Sequence, residues 1–230
     1  MSRLREAIVE PVLCYVTDRH ALSLEHPADA REVLVRKVEA AAAAGVDWVQ
    51  IREKDLSGKE CASLSREGLR RAAKPSTNRA SPMRIIVNDR IDVALSERAG
   101  GVHLGESSLP VAEARRLVNL RGQGVDFLVG VSCHSLEAAK SAEDGGADYI
   151  FFGPVFTTPS KAAYGAPQGL ARLAEVCRSV SLPVLAIGGI TLENATSCLA
   201  AGAAGIAAIR LFQDPYDLAS LVKTLRTPKI

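Results

Sequence analysis

The sequence has few aromatic residues and almost no excess of charge of either sign. Phe, Trp and Tyr make up 4% of its 230 residues, and the formal net charge at pH 7 is +2. Proteins that bind nucleic acid usually present a basic surface or aromatic side chains on which bases stack. Since the sequence offers neither, we expect no nucleic-acid partner.

Long hydrophobic runs and paired cysteines are missing as well. The longest apolar stretches have the length of a β-strand, well short of the roughly 20 residues of a membrane-spanning helix. The segment Met1–Glu6 lacks the apolar core of a signal peptide. The five cysteines have no Cys-x-x-Cys spacing, which is typical of reduced thiols rather than of a disulfide or zinc framework. We therefore expect a cytoplasmic protein without a membrane partner.

What the sequence does contain is a regular alternation of strand-like and helix-like segments. Eight short apolar runs end in polar or glycine-rich residues, and each run precedes a stretch of helical character. This series predicts an α/β fold, a single (β/α)8 TIM barrel. We expect one domain over residues 1–230, with its core at about 12–226, and an extra helix near Ser2–Glu10 that closes the barrel bottom. The predicted strands are Val12–Val16, Val46–Ile51, Arg84–Val87, Val102–Leu104, Phe127–Val131, Tyr149–Phe152, Val184–Ile187 and Gly205–Ile209.

The second strand ends in a cationic cluster, on the side where such barrels place their active sites. Side chains alternate along a strand, so Gln50 and Arg52 are expected to point into the barrel mouth, with Lys54 nearby. An inward arginine beside a lysine is costly to desolvate unless an anion meets it. The alternative is an internal salt bridge between Arg52 and Glu53 or another carboxylate.

The third strand ends in Asn88 and Asp89. A carboxylate and an amide at this position can hold Mg²⁺ against a diphosphate, because magnesium takes few protein oxygens and leaves room for phosphate oxygens. The alternative is helix capping, since either residue is a good N-cap for a helix that starts at Arg90. The neighbouring Arg52 and Lys54 favour the metal site.

The last two strands end in a predicted phosphate site. Gly188 and Gly189 follow strand seven and expose backbone N–H groups before a helix, and strand eight runs from Ile209 into Arg210. The loops after strands seven and eight form the usual phosphate site of these barrels. The pattern therefore predicts a phosphorylated small molecule, without specifying the reaction.

Two further loops carry residues capable of chemistry. Thr157–Gln168 reads as a mobile flap over the substrate, and Lys161 within it could bind phosphate or be a solvated loop lysine. His134 after strand five is either a proton-transfer group or a neutral histidine packed under the mouth. We interpret His103 as a hydrogen-bonded barrel residue. Cys133 is interpreted as structural, since no base lies near it.

These motifs together resemble the thiamine phosphate synthase and thiazole tautomerase family over nearly the whole chain. The segments that carry the likeness are Tyr15–Arg19, Gln50–Lys54, Asn88–Arg90, Val102–Gly105, Gly130–Ser132, Ala147–Tyr149, Phe152–Phe156, Ala186–Ile190 and Ala207–Ile209.

In the synthase branch, the resemblance implies that diphosphate leaves a pyrimidine methylene and the nitrogen of a thiazole phosphate attacks it, giving thiamine phosphate. Cationic side chains and Mg²⁺ would stabilise the leaving group. The candidate catalytic residues are Arg52, Lys54, Ser132 and Lys161, together with His134, which would carry the proton in a tautomerase. The substrates would be bound by Gln50, Arg52, Lys54, Asn88, Ser132, Thr158, Ser160, Lys161, Gly188, Gly189, Ile209 and Arg210, and the metal by Asp89 with Ser108 or Glu106 as a second candidate ligand.

The chain departs from the synthase pattern at two positions. The pattern has a second metal-binding aspartate shortly after Val-His-Leu-Gly, where this chain has Ser108, although Glu106 is close enough in sequence to be a substitute. The pattern also has a serine after strand eight, where this chain has Arg210.

These departures keep a second branch open. A tautomerase moves a proton on a carboxylated thiazole phosphate without metal, and the resemblance implies that Ser108 and Arg210 favour this branch. His134 does not decide, because a histidine also occurs there in synthases. The complete diphosphate set around Arg52 and Asp89 favours the synthase, because a tautomerase has no diphosphate to hold. A non-catalytic thiamine-precursor binding protein is the third alternative. All three imply small phosphorylated ligands, and a homo-oligomer is compatible with each.

Overall fold

A computed structural model describes residues 3–22, 30–73, 82–122, 126–158, 166–215 and 217–227. Eight parallel strands form a closed barrel in sequence order, and β8 pairs with β1 to complete it. The predicted TIM barrel is therefore confirmed. The strands are β1 Val12–Val16, β2 Trp48–Ile51, β3 Arg84–Asn88, β4 Gly101–Leu104, β5 Leu128–Cys133, β6 Tyr149–Phe152, β7 Val184–Ile187 and β8 Gly205–Ala208.

Helices connect the strands and cover the outside of the barrel. No helix among the described residues is long and apolar enough to cross a membrane. The helices are α1 Arg3–Ala7, α2 Ala30–Ala44, α3 Gly58–Ala72, α4 Ile91–Ser96, α5 Val111–Leu120, α6 Leu136–Asp144, α7 Gly169–Ser179, α8 Leu192–Ala200, α9 Arg210–Gln213 and α10 Leu218–Arg226.

Strand β2 shows the alternation on which the site prediction depends. Val49 and Ile51 pack in the apolar layer between barrel and helices, whereas Trp48 packs with side chains of the barrel interior. Gln50 shares the inward face with Trp48 and is 2% exposed. The expected direction of the Gln50 side chain is confirmed.

The barrel interior is filled by aromatic rings rather than open as a channel. Trp48 and Tyr149 have ring centroids 4.8 Å apart, and the rings of His103 and Phe151 are separated by 4.0 Å. Gly130 leaves the space that the Tyr149 ring occupies, because a Cβ at this glycine would lie 2.1 Å from Tyr149 Cζ. The lower barrel is thus a packed core, and ligands are confined to the mouth.

The N-terminal helix closes the barrel at the opposite end from the predicted site. Leu4 of α1 and Ile8 just after it pack against the interior cluster that contains Val12 and Trp48. This confirms the expectation for the segment near Ser2–Glu10. The structure shifts one boundary that matters for function: β5 continues through Cys133, so Ser132 lies within the strand rather than after it.

We expect Gly130→Ala to lower the free energy of unfolding by about 1–3 kcal/mol, because the added methyl group must displace the buried Tyr149 ring. Gly68→Ala is the matched control: in α3 the new Cβ would lie 3.8 Å from Ile85 Cδ1, an ordinary contact, and alanine favours the helix. Urea unfolding of both variants provides the measurement. Equal stability of the two would contradict the packing described here.

Candidate active site

Glu53 is a carboxylate buried between the ends of β1 and β2, with its side chain 1% exposed. Its Oε1 accepts a hydrogen bond from Thr17 Oγ1 at 2.7 Å, and its Oε2 accepts from the backbone N–H and Nη1 of Arg19 at 3.1 and 3.0 Å. Thr17 Oγ1 in turn accepts from the backbone N–H of Arg52 at 2.9 Å. Glu53 therefore fixes the backbone where Arg52 leaves the strand.

The charge of Arg19 is paired with two carboxylates of the second loop. Its guanidinium bonds to Glu53 and also to Asp55, where Nη1 donates to Oδ1 at 2.7 Å. The hydrogen bond from Arg19 holds the pKa of Asp55 well below its ordinary value. Arg19, rather than Arg52, is thus the partner of Glu53, and the proposed salt bridge between Arg52 and Glu53 is wrong.

Arg52 and Lys54 have no ion pair within the part of the chain that the structure describes. Arg52 is half-buried and Lys54 is exposed. A half-buried guanidinium without a counter-charge is unfavourable until an anion reaches it. Both cations are therefore available to an anionic ligand at the barrel mouth.

Asp89 ends a row of hydrogen bonds that crosses from β2 to β3. Gln50 Nε2 donates to Asn88 Oδ1 at 2.8 Å, and Asn88 Nδ2 donates to Asp89 Oδ2 at 2.8 Å. The other carboxylate oxygen, Oδ1, accepts from the backbone N–H of Gly105 at 3.0 Å and from the hydroxyl of Ser108. The carboxylate of Asp89 is thus held from both sides.

Helix capping does not explain Asp89. Helix α4 begins at Ile91 with Arg90 as its N-cap residue, and no side chain caps it. Asp89 itself has a φ of +58°, a left-handed conformation that a non-glycine residue adopts only at a cost of about 1–3 kcal/mol. Because no side chain caps α4, the capping alternative is wrong, and backbone strain of this kind is typical of functional positions.

Gly188 and Gly189 lie where the loops after β6 and β7 touch. Both have positive φ angles, +94° and +67°. A Cβ at Gly189 would lie 2.6 Å from the carbonyl oxygen of Thr157, and one at Gly188 would lie 2.6 Å from Pro154 Cα. Asn194 Nδ2 donates to the carbonyl oxygen of Gly189 at 2.9 Å. Only glycine fits this approach, which leaves a compact backbone turn above β7.

Arg210 begins the short helix α9, which the sequence does not predict. Ile209 is the N-cap residue of this helix. Gln213 at its other end is buried, where its Oε1 accepts from Tyr15 OH at 2.9 Å and its Nε2 donates to the carbonyl oxygen of Asp18 at 3.0 Å. These bonds fasten α9 to β1. Arg210 has no ion pair among the residues that are described.

Three residues near β5 have distinct roles. His134 is half-buried, and its Nδ1 is hydrogen-bonded to the carbonyl oxygen of Gly153. Because a carbonyl only accepts, Nδ1 is the donor in this contact, and Nε2 is the nitrogen left to face another group. Burial raises the pKa of Cys133 to about 12, which confirms its interpretation as a structural thiol. His103 bonds to Tyr149 and Ser132, which confirms it as a hydrogen-bonded barrel residue.

The predicted flap falls largely outside the described residues. Ser160 and Lys161 lie in residues 159–165, outside the described part of the chain. Thr158 is described and half-buried. Ser132 is half-buried at the mouth end of β5, on the inward face with Gly130.

Comparison with known proteins points to the same family as the sequence motifs, over most of the chain. The model of the family described as thiamine monophosphate synthase matches residues 13–212. The chain belongs to the thiamine monophosphate synthase family. A thiamine-phosphate synthase of Methanocella arvoryzae is 42% identical over 214 residues, which is 92% of each chain. A solved structure of thiamine phosphate pyrophosphorylase from Pyrococcus furiosus is 31% identical with a TM-score of 0.77, covering 97% of this chain and 96% of that one.

The magnesium ion implied for this family fits the donors around Asp89. A carboxylate has about four acceptor positions, and the three hydrogen bonds above leave one free on Oδ2. Ser108 is engaged with Asp89, and Glu106 is exposed. No group of three or more His, Cys, Asp or Glu residues is placed to hold a metal in the described ranges. One carboxylate suits Mg²⁺ when phosphate oxygens and water supply its other ligands.

We expect Arg52→Ala to weaken binding of inorganic diphosphate by about 2–3 kcal/mol, because a charge-assisted bond in a half-buried site is lost. Its stability should change by less than about 0.5 kcal/mol, since Arg52 has no recorded counter-charge. Calorimetric titration and urea unfolding measure the two effects.

The matched variant is Glu53→Ala in the next position. It should lower the free energy of unfolding by about 3–5 kcal/mol, because it removes the carboxylate that Thr17 and Arg19 share. A loss of stability in Arg52→Ala with unchanged diphosphate affinity would show that Arg52 is structural.

Proposed function

We propose that this chain is a thiamine-phosphate synthase. It joins a hydroxymethylpyrimidine diphosphate to a thiazole phosphate and releases diphosphate, giving thiamine phosphate. The observation that carries the proposal is that Arg52 and Lys54 have no ion pair with any described residue and follow β2, next to β3, where Asp89 has a strained backbone. Family membership and the names of the relatives support it.

The diphosphate half of the reaction belongs to β2 and β3. Arg52 and Lys54 bind the diphosphate oxygens, and their charge stabilises the negative charge that develops as the leaving group departs. Gln50 and Asn88 hold Asp89 in place through their hydrogen bonds. When bound at Asp89, Mg²⁺ supplies further positive charge to the diphosphate.

The thiazole phosphate belongs to the loops after β7 and β8. Gly188 and Gly189 present backbone there, and Ile209 and Arg210 follow the neighbouring strand β8. Arg210 is anchored through Gln213 and brings a full charge where the family pattern has a serine. We propose that Ser132 contacts the pyrimidine and that Thr158, Ser160 and Lys161 contact the phosphates. The single domain over residues 1–230, the cytoplasmic location and a homo-oligomer stay predictions.

A second candidate, the thiazole tautomerase, is favoured by Ser108 and Arg210, and His134 would be its proton carrier, although a histidine at this position is compatible with both branches. With Nδ1 donating to Gly153, the ring in its neutral form offers Nε2 as a proton acceptor. Ser108 adds no charge to Asp89, as a reaction without metal allows. A binding protein without activity is the third candidate, and turnover of either substrate excludes it.

The metal site separates a synthase from the other candidates. Asp89→Asn should lower the rate of condensation by roughly 100-fold or more, because the carboxylate that would hold Mg²⁺ is lost. Ser108→Asp should preserve or raise activity, and Mg²⁺ should raise its Tm more than that of the unchanged protein, since a second carboxylate is added next to Asp89. Ser108→Ala is the control that removes the hydroxyl without adding charge. Full condensation by Asp89→Asn would contradict the proposed site.

Substitution of His134 distinguishes the two enzymes, because it should impair a tautomerase and spare a synthase. For a synthase, His134→Ala should leave condensation within about threefold, since no proton is taken from the bond-forming atoms. For a tautomerase it should remove roughly 100- to 10,000-fold of the rate, and EDTA should have no effect. Both assays are run on one preparation. Metal-independent tautomerisation that requires His134, without condensation, would overturn the proposed function.

A further inference from the structure

Three polar side chains form a row from the barrel interior to the mouth. Tyr149 OH lies 3.1 Å from His103 Nδ1, and His103 Nε2 lies 3.0 Å from Ser132 Oγ. Tyr149 and His103 are 0% and 1% exposed, whereas Ser132 is half-buried and reaches the mouth. The row therefore connects a fully buried phenol to a side chain that a ligand can touch.

The buried phenol sets the direction of these hydrogen bonds. Burial holds the pKa of Tyr149 well above its ordinary value, so the hydroxyl keeps its proton. Within the described residues, the hydrogen-bond partner of this hydroxyl is His103 Nδ1, and we assign the hydroxyl as the donor because a buried hydroxyl proton needs an acceptor. A neutral imidazole that accepts at one nitrogen donates at the other. His103 Nε2–H therefore donates to Ser132 Oγ, and the Ser132 proton points elsewhere.

Packing holds the imidazole in this orientation. The ring of Phe151 lies 4.0 Å from that of His103, centroid to centroid, at an interplanar angle of 33°. Tyr149 lies 5.5 Å away on the same basis and is itself packed against Trp48. A ring flip of His103 would have to displace these aromatic neighbours.

We propose that His103 and Tyr149 are positioning residues that keep Ser132 a hydrogen-bond donor toward the ligand. The group bound at Ser132 must then offer an acceptor, such as an unprotonated nitrogen of a heteroaromatic ring, and a ring that presents N–H at this point is rejected. That the ligand is the pyrimidine substrate rests on the proposed function. The direction of the hydrogen bonds does not.

The direction is tested first by NMR on the full chain without ligand. Long-range ¹H–¹⁵N correlation reports which imidazole nitrogen carries the proton, and the sequence has four histidines, so His103→Gln assigns the signal by its loss. We expect the Nε2–H tautomer for His103. The Nδ1–H tautomer, or a doubly protonated ring at neutral pH, overturns the proposal whatever the enzyme's activity is.

Paired tyrosine variants test the cause. Tyr149→Phe removes the hydroxyl that donates to His103 and should shift the imidazole towards the other tautomer. Tyr15→Phe is the matched control, because it removes another buried phenol hydroxyl, bonded to Gln213 rather than to His103, and should leave the His103 tautomer unchanged. An unchanged tautomer in Tyr149→Phe, with both variants folded, overturns the role given to Tyr149.

Kinetics test the consequence for substrate binding. His103→Leu should raise the KM of the pyrimidine diphosphate roughly tenfold and leave that of the thiazole phosphate within about twofold. His103→Gln, whose amide can still donate to Ser132, should recover most of the loss. Equal effects on both substrates, or no difference between the two variants, overturns the positioning role. If the unchanged protein condenses nothing, the proposed function fails while the tautomer measurement still decides the direction of the row.

Discussion

The buried carboxylate of Glu53 is the contact on which the diphosphate side of the site depends. Burying a charge is unfavourable unless it is paired and hydrogen-bonded, and here Thr17 and Arg19 supply both requirements. These contacts join the loops after β1 and β2, and the positive charge of Arg19 is paired with Glu53. Arg52, whose backbone N–H bonds to Thr17 Oγ1, is held in place while its guanidinium has no recorded ion pair. Because Arg19 forms the structural ion pair with Glu53, the guanidinium of Arg52 is available to bind a ligand.

The rim of the barrel contains features that are unfavourable for folding, whereas the interior does not. Asp89 keeps a left-handed backbone, and Arg52, Lys54 and Arg210 have no ion pair in the described part of the chain. Below them the interior is closely packed, with Gly130 making room for Tyr149. Local conflicts that a well-packed scaffold tolerates are typical of functional sites. The contrast between rim and interior indicates that the rim is shaped for a charged ligand rather than for folding.

The sequence predicted the barrel and the inward direction of Gln50 because both follow from local patterns. Strand β1 begins and ends at its expected residues, since a short apolar run bounded by polar residues is visible in the sequence itself. Helix α9 was missed because four residues are too few to show a period. The partner of Glu53 cannot be predicted from the sequence, because Arg19 lies 34 positions away and spacing along the chain does not show which distant residues meet in space. Aspartate is a common N-cap residue, so capping was a reasonable expectation for Asp89. Its positive φ and the start of α4 after Arg90 show that it is not the cap.

The two departures from the family pattern act in the same electrostatic direction. Serine for aspartate at position 108 removes one negative charge from the metal side, and arginine for serine at position 210 adds one positive charge on the phosphate side. The mouth is therefore more positive by two charges than the pattern requires. Ser108 donates to Asp89, which leaves a single carboxylate with one free acceptor position for Mg²⁺. A site of this kind attracts free cations weakly and polyanions strongly. Asp89 would therefore hold Mg²⁺ together with the oxygens of a bound diphosphate, and the metal would supply positive charge to the leaving group.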